Sequence, residues 1–122
     1  MRAALLGLAL AAPAAFGCGA CIEDKVAATY DYAVVERAQH EHRVVVFAEI
    51  RGGRSAQELE RAAAHAAKAV RGVDPASVRS AHSPLAISFA LDERVAPEAA
   101  LARIAKAAAT PGLQLAVVRV MR

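Results

Sequence analysis

Between Arg43 and Met121 the apolar residues change period in a fixed order, and that order leaves few folds open. Arg43 to Ile50 (RVVVFAEI) is β-branched and apolar throughout, the pattern of a strand covered on both faces. Arg51-Gly52-Gly53-Arg54 is a turn. Ser55 is an N-cap residue, and Glu58 completes a capping box. The helix that follows runs to about Val70, with Leu59, Ala63, Ala66, Ala67 and Val70 inward and Gly72 just past its end. Ser77 to Ala81 reads as a short strand containing Val78, and Ser83-Pro84 as a hairpin break. Leu85 to Leu91 alternates strictly, large residues on one face and Ala86, Ser88 and Ala90 on the other, which leaves room for a close-packed neighbour. Pro97 opens a second helix carrying Leu101, Ile104, Ala105 and Ala108 on its apolar side. Thr110-Pro111-Gly112 ends it, and Leu113 to Met121 is the last strand. The order is β-α-β-β-α-β. The crossover rule turns it into an α+β fold, a four-stranded antiparallel sheet with two helices on one face.

An extra helix is predicted ahead of this unit, from Ile22 to about Gln39. Ile22, Val26, Tyr30, Ala33, Val34 and Ala38 recur at spacings of three and four. Glu23 and Asp24 fall in its first turn and Arg37 near its end, as the helix dipole favours. Tyr30 belongs to the core and Tyr32 to another side. The first and last strands are apolar on both faces, so this helix is expected to cover the open side of the sheet. A homodimer burying that side is the competing explanation. His40-Glu41-His42 is a polar connector.

The first 17 residues read as an export signal: basic Met1-Arg2, apolar Ala3 to Ala11, then a small-residue stretch to Gly17. Cleavage after Ala14 or after Gly17 fits. The expected organisation is a signal peptide over 1–17, a cysteine pair and amphipathic helix over 18–42, and the βαββαβ domain over 43–122. The expected location is periplasmic or secreted, with lipid anchoring through Cys18 as an alternative. Although 57% of residues are hydrophobic and mean hydropathy is +0.31, no apolar run outside the first segment reaches 18 residues. No membrane span is therefore expected after cleavage. Fifteen Lys and Arg are interspersed with twelve Asp and Glu, without a basic run or stacking aromatics, so no nucleic-acid surface is expected.

The βαββαβ order is that of the ferredoxin-like fold. Val70-Arg71-Gly72-Val73-Asp74-Pro75-Ala76-Ser77-Val78, Ile87-Ser88-Phe89 and Val95-Ala96-Pro97-Glu98-Ala99-Ala100-Leu101 together resemble the heavy-metal-associated domain of soft-metal chaperones and metal-pumping ATPases. The resemblance covers roughly residues 43–121 and implies metal trafficking or resistance. That family holds its metal by Cys-x-x-Cys between the first strand and first helix. Here the loop is Arg51-Gly52-Gly53-Arg54-Ser55-Ala56-Gln57, without cysteine, histidine or methionine.

The chain's Cys-x-x-Cys is Cys18-Gly19-Ala20-Cys21, outside the module. At a helix start such a pair brings two sulfurs together, and the helix N-terminus favours thiolate. Two thiolates suit Cu(I), while Zn(II) wants four ligands. His40 and His42 are the secondary ligand candidates, but a straight helix from 22 to 39 holds them about 26 Å away. The same pair admits a thiol-disulfide role, with Cys18 and Cys21 as the redox dithiol, or a local disulfide in a non-enzymatic module that binds a protein partner. Ile22 stands where c-type haem attachment needs a histidine. His65 and His82 read as surface or packing residues. No phosphate loop, Ser-His-Asp order or HExxH motif is present, so catalysis is not expected.

Overall fold

The computed structural model describes residues 18–122, with side chains from Ile22 onward. The export segment and its cleavage sites lie outside the described residues. The elements are α1 (Cys18–Thr29), α2 (Tyr32–His40), β1 (Arg43–Arg51), α3 (Ala56–Ala69), a short 3-10 turn (Pro75–Ser77), β2 (Arg79–His82), β3 (Leu85–Asp92), α4 (Pro97–Ala108) and β4 (Gln114–Met121). The fold is α+β, and the βαββαβ order expected from periodicity is present. The strands form one antiparallel sheet in the order β2-β3-β1-β4, so each βαβ unit is split by a strand of the other.

The two faces of the sheet divide the apolar residues by parity. Val44, Val46, Ala48 and Ile50 of β1 and Ile87, Phe89 and Leu91 of β3 face α3 and α4, in a core with Leu59, Ala63, Leu101 and Ile104. Val45, Phe47 and Ala90 face the other way, against Val26, Val34 and Ala38 of the leading segment. The small face of β3 does what its sequence suggests. Ala86, Ser88 and Ala90 are buried, and Ser88 Oγ donates to the Thr29 carbonyl at 3.1 Å. The leading segment thus covers the face that a homodimer would otherwise bury.

Four details differ from the expectation. First, the leading segment is two helices, and it starts earlier, at Cys18. The break comes at Asp31, whose backbone is extended and whose carboxylate accepts the Ala33 N–H at 3.0 Å. An aspartate that caps a new helix competes with continuing the old one. Glu23 and Asp24 therefore sit beyond the first turn. Second, Tyr30 is 45% exposed and not core, because the break turns it outward with Tyr32. Third, β2 starts at Arg79, since Pro75–Ser77 forms a 3-10 turn capped by Asp74. Val78 is buried but precedes the strand. Fourth, β4 carries a bulge. Arg119 pairs with Phe47 and Val117 with Ala48, leaving Val118 as the extra residue. The bulge sends Leu115, Val117 and Val120 to the α3/α4 core and Val118 and Met121 to the α1/α2 side.

Ser55 caps α3 as expected, its Oγ accepting the Glu58 N–H at 3.3 Å, but the box is not closed, because the Glu58 carboxylate turns toward Arg54 and makes no return bond to the Ser55 N–H. The Glu58 carboxylate lies 3.8 Å from Arg54. Gly72 has φ +95, a conformation that a side chain would strain, and a Cβ there would meet Val95 Cγ2 at 3.1 Å.

Candidate functional site

α1 lies across all four strands and is tethered along its length. Near its start, Glu23 pairs with Arg119 of β4. In its middle, Lys25 pairs with Glu49 of β1, and Arg51 takes the other oxygen of the same carboxylate. Glu49 is a buried charge, 8% exposed, and two cations compensate it, as burial of a carboxylate requires. Just beyond α1, Arg79 of β2 donates to Asp31 at 3.1 Å. The hydrogen bond from Arg119 holds the Glu23 carboxyl below its ordinary range. The hydrogen bond from Arg79, helped by the Ala33 and Val34 N–H groups, does the same for Asp31.

Cys18 and Cys21 are the first and fourth residues of α1, so the expected pair does open a helix. Their side chains lie outside the described residues. Helical residues three apart share a face, and their turn precedes the Glu23–Arg119 tether on the β4 side of the sheet.

His40 ends α2, and His42 has φ 55 in the turn before β1; both are exposed. The straight-helix separation from the cysteines no longer applies, because α2 turns back over β1 and β3. Among the described residues, no three His, Cys, Asp or Glu converge as a metal-holding group. The turn between β1 and α3 carries Arg51 and Arg54 and packs closely, so that a Cβ on Gly52 would sit 2.8 Å from Leu59 Cδ2.

A second cluster was not expected. Glu60 of α3 accepts from Ser80 Oγ at 3.0 Å and meets His82 Nδ1 at 3.1 Å. These residues line an open groove of about 530 Å³ with Gln57, Arg61, Ala64, His65 and Lys68. The contacts join residues twenty or more positions apart, and no local spacing marks them in the sequence.

No family model, curated protein or solved structure matches the chain. No helix among the described residues is long and apolar enough to cross a membrane.

Proposed function

We propose that this protein is a small exported metal-binding protein, without enzymatic activity, in which Cys18 and Cys21 hold a soft ion such as Cu(I) or Zn(II). The observation that carries the reading is that both cysteines fall in the first turn of α1. Spacing of three brings their side chains to one helix face, and the free N–H groups of that turn favour thiolate. Two thiolates satisfy Cu(I) without further ligands, whereas Zn(II) would draw its remaining ligands from elsewhere, with His40 and His42 as candidates. The tethers at Glu23 and Lys25 hold the helix that carries the pair against the sheet. The resemblance of residues 43–121 to heavy-metal-associated domains supports the same chemistry, with the dithiol moved from the first loop of the module to the leading helix. Trafficking or resistance in the periplasm or outside the cell is the role that fits an exported soft-metal site.

Anaerobic titration of the reduced protein with Cu(I) against a competing chelator tests the proposal. Stoichiometric binding is expected, lost in the Cys18→Ser/Cys21→Ser variant with the far-UV circular dichroism unchanged. Failure to compete with a weak chelator, or equal binding by the double variant, overturns it.

A further inference from the structure

We infer that the groove between α3 and β2 binds a small oligoanion of the phosphate class, held by Arg61, His65, Lys68 and His82. Arg61, His65 and Lys68 follow each other on α3 at spacings of four and three. They therefore form a ladder on one helix face, with neighbouring Cβ atoms about 5–6 Å apart. His82, at the end of β2, lines the groove from the other wall.

Glu60 is the one carboxylate among the groove's lining residues. Its two oxygens are already engaged, one by Ser80 Oγ at 3.0 Å and the other at 3.1 Å from His82 Nδ1. That contact fixes the His82 ring through Nδ1 and leaves Nε2 as its remaining polar atom. When His82 is protonated, Nδ1–H donates to Glu60 and Nε2–H becomes a donor for the ligand. Arg61 and Lys68 against Glu60 leave the lining one positive charge in excess with both imidazoles neutral.

A cation fits this lining poorly. A guanidinium and an ammonium flank the imidazoles, and no three metal-ligating side chains converge among the described residues. The size also speaks for more than one anionic group. The ladder of Arg61, His65 and Lys68 covers two turns' worth of α3 face and spans more than one orthophosphate. Arg61, His65, Lys68 and His82 are exposed, so their polar atoms are available to a ligand. The groove opens on the α3 side of the sheet, away from α1, and its occupancy is independent of the thiols.

Amide NMR titration of the full chain with inorganic pyrophosphate and with orthophosphate, at mildly acidic pH and low salt, tests the inference. Shifts confined to residues 57–68 and 80–82, with pyrophosphate the tighter ligand, are expected. Arg61→Gln/Lys68→Gln should weaken pyrophosphate by about tenfold, as removal of two charge-assisted contacts implies. Glu60→Gln should tighten it several-fold, because the variant removes the opposing charge and keeps an acceptor for Ser80. Absence of shifts in these segments, or equal affinity of the Arg61→Gln/Lys68→Gln variant, overturns the inference. So does Zn(II) occupying the groove with an affinity that Glu60→Gln reduces, since that result assigns the groove to a cation.

Discussion

Phe47→Ala separates a docked helical layer from a bare sheet face. Phe47 is the largest side chain in the cluster beneath α1 and α2 and is 1% exposed. Its neighbours Val46 and Ala48 point into the opposite core. With α1 and α2 in place, truncation removes a fully buried aromatic ring and leaves a cavity between Val26, Val34, Ala38 and the sheet. Such truncations cost roughly 3–5 kcal/mol. Against a total of about 5–15 kcal/mol for a domain, that is a large share of the stability. Were the face open to water, Phe47 would already be solvated and its loss would cost at most a few tenths of a kcal/mol, as surface changes do. The assay is urea unfolding of wild type and variant, followed by far-UV circular dichroism, with Phe47→Leu as the volume-sparing control at under about 1.5 kcal/mol. A Phe47→Ala cost below about 1 kcal/mol would refute the reasoning, since the second core would then contribute nothing to the cooperative unit. Pairing it with Val34→Ala adds a check. Residues sharing one cavity should show a coupling of about 0.5 kcal/mol or more, whereas strict additivity would place α2 elsewhere.

Acid should loosen the leading helices before the sheet. The Glu23 and Asp31 pKa values are lowered from 4.5 and 3.8 on folding, so their stabilisation is complete above those values and is lost as pH falls through the lower folded ones. Hydrogen exchange of α1 and α2 amides should accelerate in that window while β1 and β3 stay protected, and uniform protection would contradict it. Ser77→Ala should cost about 1–3 kcal/mol, because Ser77 Oγ accepts the buried Ala90 N–H at 2.7 Å and donates to the Asp74 carbonyl at 2.6 Å; chemical denaturation measures it. Asp31→Ala should cost about 0.5–2 kcal/mol through loss of the α2 cap and, in addition, release Arg79. A variant as stable as wild type would mean that the two helices had fused into one.

The parts of the fold that local spacing encodes were legible in the sequence. The large-small alternation of Leu85 to Leu91 fixed both the strand and its two environments, since Ile87 and Phe89 reach the α3/α4 core while Ala86 and Ala90 admit α1 and α2 closely. The Ser55 cap and Pro97 start are likewise local signals and stand where expected. The break at Asp31 was obscured because the apolar spacing runs through it; the signal was an N-cap residue in mid-helix, and its partner Arg79 lies 48 positions away. The β4 bulge depends on the pairing with β1 and has no mark in the β4 sequence alone. For the same reason Glu60, Ser80 and His82 read as separate surface residues until α3 and β2 are brought side by side. The cysteine pair was visible as a spacing and as a helix start.

The split sheet keeps the two proposed sites on opposite sides. α3 and α4 are the crossovers of the two βαβ units and must occupy one face, which commits that side to the main core and confines its polar chemistry to the outer rim, where α3 meets the short edge strand β2. The other face has no crossover, so a segment from outside the unit must cover it or it stays wet. α1 and α2 do so with small and β-branched contacts, Val26, Val34 and Ala38, over Phe47 and Ala90. A layer held by few large side chains depends more on its ion pairs, and each tether of the leading segment reaches a different strand: Glu23 of α1 to β4, Lys25 of α1 to β1 and Asp31, the cap of α2, to β2. The Glu23–Arg119 pair is the tether nearest the first turn of α1, and it lies on the sheet face opposite the α3 groove. Arg119→Ala should therefore alter the environment and reactivity of Cys18 and Cys21, read as the rate of alkylation, without changing any amide shift between residues 57 and 68.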